Sequence, residues 1–142
     1  MHLEIAVRVK APRAKVYAAY TDFESMPKWA KMQGSVKVTG KGGDRVYLES
    51  EGRPQKRGQN AARSLKLTEP SLVESENETR FTRTRRTVSF EEVPEGTKVT
   101  ARLEVQVKGL WAKLLATRES DEFEPAIREE LESFGRYVES LP

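Results

Sequence analysis

The sequence predicts an α+β fold: a strongly curved antiparallel β-sheet of six to seven strands wrapped around a long C-terminal helix, with two short helices after the first strand. Three observations predict it. Val99, Ala101, Leu103, Val105 and Val107 alternate with Lys98, Thr100, Arg102, Glu104 and Gln106, the period of a half-buried strand. Phe123, Ile127, Leu131, Phe134, Val138 and Leu141 step by threes and fours, the stripe of an amphipathic helix. Such a stripe has to be covered, and the apolar face of the sheet is the only surface large enough. Thirdly, Pro-, Gly- and Asp-containing breaks divide the stretch between the first strand and this helix into a meander of short strands.

At the N-terminus Leu3, Ile5, Val7 and Val9 alternate with Glu4, Arg8 and Lys10, giving the first strand. Lys10 to Trp29 then forms a helical corner. Pro12 suits the first position of a helix, where its missing N–H is no loss. Val16, Tyr20 and Phe23 recur at nearly helical spacing, and Ala14, Ala18 and Ala19 allow close packing. Asp22 is placed to cap a second turn beginning at Phe23. Pro27 biases Met26 away from helical geometry and keeps that second helix short. Trp29 follows as a large apolar anchor. These aromatics either fill a core or face a ligand, and filling a core is the commoner fate of such residues.

The meander begins with Ser35 to Thr39, carrying Val36 and Val38, and turns at Gly40, Gly42, Gly43 and Asp44. Arg45 to Ser50 follows, with Val46 and Leu48 on one face and Tyr47 on the other. Glu51 to Gly58 is polar, contains Pro and Gly, and reads as a loop. Gln59 to Thr68 is the next strand, with Arg63, Leu65 and Leu67 on one face. Glu69-Pro70-Ser71 turns the chain, Leu72 to Glu76 forms a strand, and a further turn is expected around Asn77. A long strand then runs to about Glu92 with Val88 and Phe90 inward, and Pro94-Glu95-Gly96 makes a tight turn. Gly109 ends the sheet. Leu110 to Thr117 reads as a first helical segment, and Ser120 or Asp121 as the cap of the main helix. Pro125 is tolerated in a first turn and would kink a helix running through it.

The order strand, Ala11-Pro12, short helix, Thr21-Asp22-Phe23, Pro27, Trp29 resembles the opening of the SRPBCC superfamily, with Val16 and Tyr17 also matching. That group includes the StAR-related lipid-transfer domains, the pollen-allergen-like proteins and the polyketide cyclases or dehydrases. A weaker likeness to the family's late hairpin lies in Thr87 to Thr100. Met26 departs from the aromatic or leucine expected at its position. The resemblance implies a single helix-grip domain over 1–142 and a cavity between sheet and helix. Fold does not dictate function, however.

Composition narrows the function classes. The chain has 142 residues, 37% hydrophobic and 33% charged, with a net charge of +3 spread over both signs. That mixture argues against a nucleic-acid partner, which asks for a concentrated basic patch. The richest basic stretch, Arg80 to Arg86, is divided by strand parity: Arg83 and Arg85 on one face, Arg86 on the other. Glu74, Glu76 and Glu104 are available to offset it across the sheet. No apolar run is long enough for an integral membrane segment, the N-terminal residues lack a signal peptide's apolar core, and a cytoplasmic location is the expectation. The absence of cysteine excludes disulfides, thiolate metal sites and cysteine nucleophiles. His2 is the only histidine, which disfavours a histidine-based triad or metal site. No glycine loop has the phosphate-cradling pattern. No cofactor, metal or catalytic set is therefore expected.

The residues expected to line the cavity are Trp29, Leu48, Leu65, Val88, Phe90, Leu103, Phe123, Ile127 and Phe134. By parity Arg63 joins Leu65, and Arg86 joins Val88 and Phe90, on the inner face. A guanidinium there needs a partner. It is a protein acid, a ligand carboxylate or phosphate, or else the side chain reaches the rim. The reading favoured is binding or carrying of a small hydrophobic ligand such as a lipid, isoprenoid or polyketide-like compound. A cyclase- or dehydrase-like enzyme, using Arg63, Arg86 or Tyr47 on a carbonyl, is one alternative. A module that binds a protein partner through Arg80 to Arg86 is the other.

Overall fold

The chain begins with strand β1 (His2–Val9), helix α1 (Arg13–Thr21) and a 3₁₀ helix (Phe23–Lys28). Six strands follow: β2 (Gln33–Gly42), β3 (Arg45–Gly52), β4 (Asn60–Thr68), β5 (Leu72–Glu78), β6 (Thr82–Val93) and β7 (Gly96–Val107). Helix α2 (Leu110–Ser140) closes the chain. This computed structural model describes residues 2–30, 33–52, 60–78, 82–107 and 109–142, with α2 side chains described from Glu124 onward.

All seven strands join one antiparallel sheet in the order β1-β7-β6-β5-β4-β3-β2. β1 and β2 are consecutive in sequence yet lie at opposite edges. The link between them must cross the sheet, and it does so as α1 and the 3₁₀ helix. α1 packs on β6 and β7, and the 3₁₀ helix on β2. At about 1.5 Å and 2.0 Å rise per residue these helices supply some 26 Å of span, close to the width of six strand spacings of about 4.8 Å. They close one end of the sheet.

That corner is tightly tied. Thr97, fully buried, donates from Oγ1 to the Ala11 carbonyl at 2.8 Å. Gly96, at φ 150°, brings the β6–β7 turn so close that an added Cβ would collide with the Val9 carbonyl. The end of α2 docks beside it: the Lys10 amide donates to Glu139 Oε1 at 2.9 Å, and Lys15 Nζ to the Leu141 carbonyl at 2.8 Å. Leu131, Phe134 and Val138 of α2 are completely buried against the sheet, as their stripe requires.

Several boundaries differ from the sequence reading. α2 is one helix from Leu110 to Ser140, with no break between a first segment and a main helix and with Pro125 inside it. Ser120 and Asp121 lie within this helix and not at its start. The apolar stripe of the later turns is covered by the sheet, and that burial holds the helix through a residue that local propensity disfavours. β5 continues through Asn77, which pairs with Thr84, so the turn expected around Asn77 is not there. β2 runs on through Gly40 and Gly42 with bulges, and the turn is at Gly43-Asp44. Glu51 and Gly52 belong to β3, while the rest of the expected loop lies outside the described residues. Pro12 is the N-cap of α1 in place of its first helical residue. Asp22 does precede the 3₁₀ helix, but its carboxylate accepts from the Ser25 hydroxyl at 2.7 Å and from no cap N–H.

Candidate functional site

The registers fix which residues face α2. Leu65 of β4 pairs with Ser75 of β5, Ser75 with Arg86 of β6, and Arg86 with Leu103 of β7. Leu48 of β3 pairs with Arg63 of β4. The inner face is therefore divided along the strands. Towards α1 it is apolar and buried: Val46, Leu48, Leu65, Val73, Val88, Phe90, Val99 and Ala101. Towards the far end it turns polar, with Ser50, Arg63, Ser75, Asn77, Thr84 and Arg86 on the same side. The direction is set by β6, whose far residue Glu92 reaches Arg13 of α1 at 3.7 Å.

The boundary is marked by an aromatic group. The Tyr20 ring lies 5.4 Å from both Phe90 and Phe134 and 5.7 Å from Trp29, and Trp29 lies 4.8 Å from Phe134. Tyr20 meets Phe90 and Phe134 edge-on while the Trp29 contacts are tilted, and such ring contacts bury large apolar area in a fixed geometry. The phenol of Tyr20 meets the charged layer. There Arg86 Nη2 donates to Glu130 Oε1 at 3.2 Å, the two side chains being 24% and 28% exposed. Arg63 Nη2 donates to Ser50 Oγ at 3.4 Å. The Nε of Arg63, the Nε of Arg86, the Trp29 Nε1 and the Tyr17 hydroxyl are buried without a partner.

The electrostatics follow from this crowding. Burial pushes the Tyr20 hydroxyl above the ordinary tyrosine value; Arg86 and Arg63 pull it back and Glu130 adds to the rise. Burial lowers Arg63, and the neighbouring Arg86 lowers it further, against Tyr20 and Glu130. Burial alone would lower Arg86 as well, but Tyr20, Glu130 and the hydrogen bond that Arg86 donates to Glu130 more than offset this. A phenol already pushed upwards carries no charge at neutral pH, so Glu130 is the partner that matters there. Both guanidinium groups are charged.

The expected lining residues divide accordingly. Trp29, Leu48, Leu65, Val88, Phe90 and Phe134 are at most 5% exposed and form the sealed apolar half. Leu103, the half-buried Ile127, Arg63 and Arg86 border the polar half. Phe123 lies on α2, but its side chain is outside the described residues. Of the three fates open to the arginines, Arg86 takes a protein acid, and Arg63 takes none among the described residues. Tyr47 is corrected: it is on the outer face and 47% exposed, so it cannot act on anything held inside. Sequence reading missed Glu130 and the hydroxyl of Tyr20. Glu130 could have been found, because it stands three residues after Ile127 and four before Phe134, on the stripe itself. Arg83 and Arg85 face outward and Arg86 inward, as parity implies, and Arg85 Nε bridges Glu76 at 3.3 Å; Arg80 lies outside the described residues. Among the described residues no group of His, Cys, Asp or Glu could hold a metal ion, and no helix is long and apolar enough to cross a membrane.

Solved structures share this architecture. TTHA0849 from Thermus thermophilus superposes with a TM-score of 0.80 at 18% identity, over 97% of each chain. The Zhui aromatase/cyclase from Streptomyces sp. R1128 gives 0.78 at 12% identity, over 98% of this chain and 93% of that one. The di-domain ARO/CYC BexL gives 0.76 at 16% identity, this chain spanning 51% of its length. At such identities the likeness concerns the fold, here the helix-grip arrangement of the SRPBCC superfamily. A comparison with curated protein sequences finds no match. Residues 1–139, however, match the family model described as polyketide cyclase / dehydrase and lipid transport. With the sheet order, the gripping helix and this match together, the chain belongs to that family.

Proposed function

We propose that this protein binds a small, largely apolar molecule between α2 and the polar half of the sheet. The observation that carries the reading is the division of the inner face. A helix that only needed covering would be met by apolar residues throughout, since buried polar groups cost free energy unless satisfied. Here Arg63, Ser75, Thr84 and Arg86 stand opposite α2, only part-buried, with donors left over. Ile127 and Leu103 offer the apolar contact beside them. Such a mixture of apolar wall and few convergent polar groups is typical of ligand sites, and the family description, which covers both cyclisation and lipid transport, agrees with it.

The test is native mass spectrometry of the purified protein, with extraction of whatever it retains, and a melting-temperature screen against lipids and aromatic polyketides. A retained apolar molecule, or a rise in melting temperature with one chemical class, is the expected result. No retained molecule and no shift across the panel would sink the reading.

Catalysis on the bound molecule is the second reading. It is favoured by one observation: Arg63 and Arg86 each hold a buried Nε with no acceptor on the inner face, donors able to polarise a carbonyl. Turnover of a synthetic poly-β-keto thioester should then fall at least about 100-fold in Arg86→Ala with the fold intact. An unchanged rate would remove Arg86 from any mechanism.

A further inference from the structure

Among the described residues the charges on the inner face do not cancel. Arg63 and Arg86 carry two positive charges, and Glu130 is the one acid that meets them among the described residues. Glu130 is committed to Arg86. Arg63 is left with a 3.4 Å bond to the Ser50 hydroxyl, which itself is buried, and with a buried Nε that has no acceptor. Nε and Nη2 form the edge of a guanidinium that a carboxylate takes in two parallel hydrogen bonds. That edge is held only by one long bond to a neutral group. A part-buried charge left in this state is costly, and a protein with no use for it is better served by an apolar residue of similar volume.

Resting on the ligand reading above, we infer that the molecule bound is a monoanion: an alkyl or aryl carboxylate whose head group pairs with Arg63 while its apolar body lies against Leu103 and Ile127. The arrangement also explains why there are two arginines and one acid. Glu130 neutralises Arg86, so the site presents one positive charge to the ligand and not two. A neutral alcohol or ester can accept a hydrogen bond from Arg63 but leaves its charge uncompensated and cannot take both donors of the edge in parallel. A dianion would bring one negative charge too many.

The experiment is calorimetric titration with matched pairs that differ only in the head group: octanoate to hexadecanoate against the corresponding alcohols, and 2-naphthoate against 2-naphthol. Dodecylamine serves as the opposite charge. In the wild type the best carboxylate is expected to bind at least about 10-fold more tightly than its alcohol. Arg63→Met should abolish that ratio by weakening the carboxylate at least about 10-fold more than the alcohol. Arg63→Lys, which keeps the charge and loses the fork, should keep only part of it, and it tests the same point if the Met variant does not fold. Glu130→Gln should tighten carboxylate binding by roughly threefold or more, because it frees Arg86; a merely structural ion pair would give weaker binding instead. Alcohols binding as tightly as carboxylates, or dodecylamine matching dodecanoate, would overturn the inference and leave the apolar-ligand reading standing. If no member of either series binds, both readings fall.

Discussion

Tyr20 carries its hydroxyl on a ring boxed in by Trp29, Phe90 and Phe134, and this has a consequence for alkaline stability. A group whose pKa is raised in the folded state contributes stability that is complete below its unfolded value and lost as pH rises through the folded value. For Tyr20 that unfolded value is 10.0, and Tyr17 is shifted the same way by burial and then by Glu69. The melting temperature should therefore fall as pH climbs above 10.0, and Tyr20→Phe, which keeps the ring contacts, should flatten that fall. A slope identical to the wild type would show that Tyr20 ionises elsewhere. The Arg86–Glu130 pair makes a second prediction. Arg86→Met leaves a part-buried carboxylate alone and should cost roughly 1–3 kcal/mol, between the limits for exposed and buried pairs. Arg86→Met/Glu130→Leu should recover most of that loss in denaturant unfolding. Arg63→Met differs in sign: with no acid to orphan, it should hold or raise the melting temperature of the ligand-free protein.

Among the elements, the β1–α1 corner is the most constrained. Gly96 combines a backbone conformation open to glycine with contact against the Val9 carbonyl, the Lys10 Cα and the Ala11 amide. Gly96→Ala should cost upwards of about 1–3 kcal/mol, the cost of the conformation alone. Thr97→Val removes the bond to the Ala11 carbonyl, leaves a buried acceptor unmet and should cost about 1–3 kcal/mol. Thermal unfolding of the two variants checks both values; near-neutral changes would mean the corner is looser than its contacts imply. In α2, Phe134→Ala opens a hole beside Tyr20, Phe90 and Trp29 and should cost about 3–5 kcal/mol. The Ala11-Pro12 and Asp22-Phe23 signals were legible because capping and proline chemistry act within a few residues. The continuity of α2 was not legible. Pro125 is a local breaker, and the burial that overrides it comes from strands far away in sequence.

At the scale of the whole molecule the two faces of the sheet have different tasks. The outer face is a checkerboard in which Arg102 pairs with Glu4 at 3.4 Å and Arg85 with Glu76 at 3.3 Å, exposed pairs of small individual worth. Arg83→Gln/Arg85→Gln, which removes the charges without reversing them, should accordingly change stability by no more than about 1 kcal/mol and leave carboxylate titrations unchanged. The class of fold, the inward side of Arg63 and Arg86, and the outward side of Arg83 and Arg85 were determined by the sequence itself. Alternation and helical stripes are short-range patterns, and a residue's face follows from its position in them. Which arginine finds an acid was decided only by the tertiary structure. Arg86 and Glu130 are separated by 44 positions and meet because α2 crosses the sheet at one register. Nothing in either segment records that crossing. Arg63, two strands away on the same face, is left facing the interior with no acid of its own among the described residues.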